Sequence, residues 1–284
     1  MNASVLFPRF GAALLLLAVP SLRSSEPPPS AALPTIFVCG DSTAKSPGDI
    51  MGWGTPIADY FDAAKVTVNN VGHGGTSSRT YYETDWPKVL PQIKAGDFVL
   101  EVFGINDGGL RTPPGLGDEV DPATGYHTYG WYMAKMAGDA RSKGAHVFLL
   151  TVTPRNIWTN PRATFNDATI VTQQESYDPA DDRIERGTGN GRYTQWTKDV
   201  GQRLGLPVLD LTNLLADRYE KTGRMQVMVN YKDHNHTFPA GADIVASAIV
   251  SGLRAFRDSP FTSLLSEKGR ALEAVDKKYV TNPQ

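Results

Sequence analysis

Four short stretches of the chain hold residues whose types and spacing can do chemistry. Gly40-Asp41-Ser42-Thr43 sets a hydroxyl directly behind the apolar run Thr35–Cys39. Far downstream, Asp233 stands three residues before His236 in Asp-His-Asn-His-Thr, close enough for the carboxylate to bond one imidazole nitrogen while the other faces a hydroxyl. Between them lie two glycine-rich segments, His73-Gly74-Gly75-Thr76 and Gly104-Ile105-Asn106-Asp107. The chemistry in view is acyl transfer, which needs a nucleophilic oxygen, a base held by a carboxylate, and donors aimed at a developing oxyanion. Each piece also has a plainer use. A serine after a strand is commonly a helix cap, and Asn106 with Asp107, Gly108 and Gly109 makes an ordinary turn. Asp41 is read as a turn former or surface acid without a catalytic role. Asp233, His234 and His236 also suit a metal ion, but a third anchoring cluster is missing, so no metal is assigned. The Asn-His-Thr pattern at Asn235 is a chance match to a glycosylation site, since a glycan there would obstruct His236.

These residues converge only if the elements between them bring them together. Short apolar runs alternate with longer helical patterns: strands are expected at 35–40, 66–72, 97–104, 145–154 and 206–211, and helices at 53–65, 86–96, 129–144, 191–205 and behind Pro239. That rhythm predicts an α/β fold, a three-layer α/β/α sandwich on a five-stranded parallel sheet of flavodoxin-like order 2-1-3-4-5. Ligands in such sheets sit beyond the carboxyl ends of the strands where the order reverses. The loops after strands 1, 2 and 3 hold Ser42, Gly75 and Asn106, so the order would gather them. The polar connection 155–192 is far longer than the two to six or so residues usual in such folds, which marks a functional or unstructured loop. The tail from Ser259 is charged, with a weak apolar stripe at Leu264, Leu265, Leu272 and Val275 that suits a docked final helix.

In this context the four stretches resemble the ordered sequence blocks of the SGNH or GDSL hydrolases, and within them the rhamnogalacturonan acetylesterase branch of carbohydrate esterases. Gly40–Thr43 is similar to the first block, 72–81 to the second, 103–109 to the third and 233–237 to the last, so the likeness runs from Thr35 to about Phe256. The resemblance implies Ser42 as nucleophile, Asp233 and His236 as its partners, and an oxyanion hole made of the Ser42 backbone N–H, Gly75 and Asn106. Gly75 is preferred to Gly74 through the alignment of Gly75-Thr-Ser-Ser-Arg-Thr-Tyr81. An ordinary α/β-hydrolase lipase is excluded because no Gly-x-Ser-x-Gly elbow occurs.

Composition narrows the partners. A formal net charge of -2 with interspersed signs offers no basic footprint for nucleic acid and no polybasic patch for a membrane. The single cysteine, Cys39, rules out an intrachain disulfide and is expected buried in strand 1. Arg9 followed by a short apolar run reads as an export signal, 1–25, then a proline-rich leader, 26–34, the hydrolase domain, 35–258, and the charged tail, 259–284. The expectation is an exported monomeric esterase that removes acetyl groups from plant cell-wall polysaccharide, pectic rhamnogalacturonan or xylan, without metal or organic cofactor. Arg79, Arg155 and Trp158 are candidate substrate contacts. The rival readings are a lipase or thioesterase on the same fold, which needs a broad apolar pocket, and an inactive carbohydrate-binding module.

Overall fold

A computed structural model of the chain describes residue 1 and residues 32–160 and 178–282. Residue 1 apart, the expected signal 1–25 and most of the leader 26–34 therefore lie outside the described residues. Four strands, β1 (Thr35–Gly40), β2 (Thr67–Asn70), β3 (Phe98–Val102) and β4 (His146–Leu150), pair in parallel. A short antiparallel ribbon, β5 (Trp158–Thr159) with β6 (Arg183–Ile184), branches off before β7 (Val208–Leu209) rejoins the sheet beside β4. The five parallel strands run β2-β1-β3-β4-β7, the expected flavodoxin-like order, and β8 (Val280–Thr281) adds a sixth, antiparallel, edge strand.

Each strand contributes alternate residues to two cores, because successive side chains of a strand point to opposite faces. Val38, Leu100 and Leu150 pack on one face with α5 (Leu211–Thr222) and α7 (Pro239–Ala255). Phe37, Cys39, Val99 and Leu149 pack on the other with α1 (Ser78–Thr84), α2 (Trp86–Val89), α3 (Tyr129–Ser142) and α4 (Arg192–Leu204). Helices on both faces give the three-layer sandwich. Two short helices, α6 (Arg224–Met228) and α8 (Glu267–Arg270), complete the set. No helix among the described residues is long and apolar enough to cross a membrane.

Several local expectations change. The segment 53–65 forms a single 3-10 turn at Pro56–Tyr60, after which Phe61 is extended, in place of a longer helix. The segment 86–96 is broken at Pro91, whose missing N–H prevents continuation, into α2 and a 3-10 turn at Leu90–Gln92. Helix α1 starts directly after the His73–Thr76 segment, where Ser77 and Thr80 bond reciprocally as a capping box. Helix α5 was also not expected, although Asp210 caps it and Leu211, Leu214, Leu215 and Tyr219 face the core at helical spacing. The tail is not one docked helix: Phe261 and Leu265 are fully buried, and the chain then runs on to β8.

Candidate active site

Ser42 stands two residues beyond Gly40, the carboxyl end of β1, in a tight turn. Ala44 N and Lys45 N both donate to Asp41 O, and Thr43 N and Oγ1 both donate to Asp41 Oδ1 at 2.8 Å. Asp41 is thus the turn former, but it is buried, not a surface acid, and removal from water pushes its carboxyl up to about 6 despite the Thr43 bonds. Opposite Ser42, residues 232–236 form a tight loop between Tyr231 and Thr237, closed by Lys232 N donating to His236 O and Phe238 N donating to Asn230 O. Thr237 Oγ1 donates to Met51 O and Met51 N to Thr237 O, which ties this loop to the segment after Ser42.

Across that junction a continuous relay forms. Ser42 Oγ lies 2.9 Å from His236 Nε2, and His236 Nδ1 lies 2.8 Å from Asp233 Oδ2. Asp233 Oδ1 accepts from Asn235 N at 2.7 Å and His236 N at 2.8 Å. Partial burial works against the Asp233 charge, but the His236 ring and the two amides outweigh it and hold the carboxyl down at about 2. An ionised Asp233 can only accept, so His236 carries its proton on Nδ1 and presents a bare Nε2 to the Ser42 hydroxyl. Both ring nitrogens are thereby engaged, and among the described residues no group of three His, Cys, Asp or Glu is placed to hold a metal ion.

The glycine-rich segments close the site from the β2 and β3 sides. A Cβ placed on Gly74 would stand 3.6 Å from Ser42 Cβ, so the His73–Thr76 segment passes directly beside the serine. Gly75 adopts φ +81°, a left-handed conformation that other residues take only with strain, and its carbonyl accepts from Arg111 Nη1. Asn106 Nδ2 donates to Thr76 O at 3.0 Å, which fixes the plane of its amide and leaves the second amide hydrogen without an acceptor among the described residues. The N–H groups of Ser42 and Gly75 meet no acceptor among the described residues. Asp107 does what the sequence reading missed: its carboxylate accepts from Ser78 N and from Ser78 Oγ at 2.6 Å, clamping the β3 loop to the first turn of α1. Desolvation pushes this carboxyl up to about 6. The Asn-Asp pair after an apolar strand was its visible signal.

The three expected substrate contacts are all engaged within the chain. Arg79 pairs with Glu83, donates to Arg111 O and lies 3.8 Å from the centre of the Tyr126 ring. Arg155 makes a bidentate pair with Glu185 at 2.6 and 2.7 Å. Trp158 is half-buried against the core, its Nε1 donating to Asn156 Oδ1. Of the 155–192 connection, residues 161–177 lie outside the described residues, and the rest holds the β5–β6 ribbon and a glycine-rich turn that Thr188 pins to Gly104 O.

Comparison with known proteins gives the same picture from another direction. Residues 38–236 match the GDSL-like lipase/acylhydrolase family model. The chain is 32% identical over 240 residues to a rhamnogalacturonan acetylesterase of Emericella nidulans, covering 79% of this chain and 86% of that protein. It is 27% identical over 257 residues to the rhamnogalacturonan acetylesterase RhgT of Bacillus subtilis, covering 83% of this chain and 96% of the relative. Its fold is like that of the Bacillus subtilis protein YxiM, with TM-score 0.60 and 23% identity over 78% of this chain and 56% of that one.

Proposed function

Because the chain belongs to the GDSL-like lipase/acylhydrolase family, we propose that it is an exported serine esterase that removes acetyl groups from plant cell-wall polysaccharide. The observation that carries this reading is the unbroken relay from Ser42 Oγ through His236 to Asp233 at 2.9 and 2.8 Å. His236 Nε2 takes the Ser42 proton as the oxygen attacks the acetyl carbonyl carbon. The negative charge that grows on the carbonyl oxygen is met by the N–H groups of Ser42 and Gly75 and by the free amide hydrogen of Asn106. Collapse of the tetrahedral state expels the sugar hydroxyl, which takes its proton from His236. Water, activated by the same Nε2, then releases acetate from Ser42. Asp233 holds the ring in the tautomer that each proton transfer needs and stabilises the imidazolium between them.

Two further features favour a carbohydrate acetylesterase over a lipase. The cleft that includes Gly74, the neighbour of Ser42, is lined by Lys45, Asn69, Asn70 and His73 together with Pro47, Val71 and Val89, a mixed surface and not a continuous apolar one. The relatives matched over most of their length are named as rhamnogalacturonan acetylesterases. Export belongs to the same proposal and rests on the basic residue and short apolar run at the start of the chain. So do the division into leader, hydrolase domain and tail, and the expectation of a monomer that meets neither nucleic acid nor membrane. The test is acetate release from a panel of acetylated polysaccharides, run beside 4-nitrophenyl acetate and octanoate. The proposal expects acetate from at least one polysaccharide and a higher kcat/KM for acetyl than for octanoyl. A preference for octanoyl would install the lipase reading, and no turnover of any ester would leave the binding-module reading.

A further inference from the structure

Residues 75–78 run from the oxyanion glycine into α1, and each is bonded to the loop that follows β3. Gly75 O accepts from Arg111 Nη1 at 3.1 Å, and Thr76 O accepts from Asn106 Nδ2 at 3.0 Å. Ser77 Oγ accepts from Thr112 Oγ1 at 2.9 Å, and Ser78 donates to Asp107 through both its amide and its hydroxyl. The two loops are thereby cross-linked into one unit beside Ser42. Two of these links join adjacent positions, since Asn106 reaches Thr76 while Asp107 reaches Ser78. The chain between them closes a ring, so the Asn106 amide is held at its tip by Thr76 O and at its base by the neighbouring Asp107.

The links are unequal. Ser78 Oγ lies 2.6 Å from Asp107 Oδ1, and Ser78 N lies 3.0 Å from Oδ1 and 3.2 Å from Oδ2. Of the four links this one alone has a carboxylate as acceptor, and bonds to an ionised group are roughly twice as strong as neutral ones. Ser78 is fully buried, so Asp107 stands in for the water its hydroxyl has lost, whereas Arg111 is exposed. Upstream, the loop is pinned where Thr188 Oγ1 donates to Gly104 O at 2.6 Å. Downstream, Gly108 and Gly109 turn the chain away at φ +113° and +57°. Between that pin and that turn the loop is held by Asn106 and Asp107. A carboxylate one residue from an oxyanion donor repels the charge that forms there, so Asp107 serves the reaction through placement and not through its own field.

We infer that Asp107 is the positioning residue of the oxyanion hole: through Ser78 it fixes the loop that aims the Asn106 amide at the carbonyl oxygen of the ester. The inference rests on the esterase reading of Ser42 and deepens it. An oxyanion donor is worth about 10² to 10³ in kcat, and an ångström of misplacement can forfeit about 10². Asp107→Ala removes the link and is therefore expected to lower kcat by about 10- to 100-fold, with KM changed little because the placement matters only once charge has formed. Asp107→Asn keeps the link. Its amide oxygen, in the place of Oδ1, accepts from Ser78 N and Oγ as before, and the repelling charge is gone. This variant is expected to recover most of the kcat that Asp107→Ala loses.

The test measures kcat and KM on 4-nitrophenyl acetate for the whole chain, unaltered and as Asp107→Ala, Asp107→Asn, Asn106→Ala and the double variant Asn106→Ala with Asp107→Ala, each with a melting curve. A residue that only supports the fold would lower the melting temperature, leave kcat per folded chain near its unaltered value, and act independently of Asn106. A residue that acts through Asn106 has little left to lose once that amide is gone. The expected pattern is a kcat that falls in Asp107→Ala, returns in Asp107→Asn, and is scarcely lower in the double variant than in Asn106→Ala alone. Should Asp107→Ala not fold, Ser78→Ala deletes the 2.6 Å bond from its donor side and carries the same expectation with a smaller loss. An unchanged kcat in the folded variant, an Asp107→Asn protein as slow as Asp107→Ala, or a double variant in which the two separate losses multiply overturns the inference and leaves the esterase reading standing. No turnover of any ester by the unaltered protein would overturn both.

Discussion

Replacing Asp233 by asparagine separates charge and tautomer from shape. The carboxylate accepts three bonds, two from the backbone N–H groups of Asn235 and His236 on Oδ1 and one from His236 Nδ1 on Oδ2. In the amide, the one oxygen stays with the two backbone donors, where it satisfies both. The NH2 group then faces His236 Nδ1 and can only donate to it. Nδ1 must become the acceptor, the ring proton moves to Nε2, and Nε2 then points a hydrogen at Ser42 Oγ instead of a lone pair. The variant keeps its loop and loses its base. In serine proteases this exchange lowers kcat by about 10⁴, which corresponds to about 5.4 kcal/mol of barrier, and the same is expected here with KM changed little. Steady-state hydrolysis of 4-nitrophenyl acetate, paired with a melting curve, measures it. A kcat within tenfold of the unaltered protein, with the fold intact, refutes the tautomer argument.

Other consequences follow from the same geometry. Asn106→Ala is expected to lower kcat by about 10² to 10³, roughly 3 to 4 kcal/mol, with a much smaller effect on KM, since its amide acts only once charge has formed; a few-fold loss accompanied by lower stability would reduce Asn106 to a turn residue. Chelation by EDTA is expected to leave turnover unchanged, and activity lost to the chelator and restored by zinc would reinstate Asp233, His234 and His236 as ligands. Glu101 gives a pH effect. It is buried on β3 opposite Cys39, neither oxygen has a hydrogen-bond partner among the described residues, and desolvation holds its pKa well above the usual carboxylate value. A raised carboxyl favours the folded state fully below the unfolded value, near pH 4, and that advantage is lost as pH rises through the folded value, at up to about 1.4 kcal/mol per pH unit. Chemical denaturation from pH 4 upward is therefore expected to show stability falling more steeply in the unaltered protein than in Glu101→Gln, and parallel curves would contradict this.

The sheet was legible because buried parallel strands are nearly continuous apolar runs: Ile36–Cys39, Phe98–Leu100 and Val147–Leu150 announce themselves, and the gaps between them fix the crossovers. Ser42, Asp233 and His236 were singled out because four blocks occur in one order; the short Asp-to-His spacing also lets the carboxylate reach the ring within one tight loop. What escaped was decided by tertiary context. Helix α1 hides in a stretch of serines and threonines that favours caps and turns, and it forms because Ser77 and Thr80 bond each other while Asp107 holds Ser78 from the loop after β3. Strand β8 has no distinctive pattern of its own and is completed by β7, with Tyr279 hydrogen-bonded to Asp217 on α5. The arginines expected at the substrate pair with Glu83 and Glu185, four and thirty residues away: the first is an i,i+4 pair visible only once α1 is known to be a helix, and the second is a partner that no local pattern identifies.

The account rests on Ser42 as the atom that carries the acyl group, and covalent trapping tests that most directly. The protein is incubated with an organophosphate ester reactive toward serine hydrolases, and the adduct is counted by intact mass and located by peptide mapping. One adduct per chain, on Ser42, formed in step with loss of acetylesterase activity, and absent from a folded, inactive Ser42→Ala variant, is the predicted result. Modification at another residue, or a Ser42→Ala protein that still releases acetate at near the unaltered rate, would contradict it.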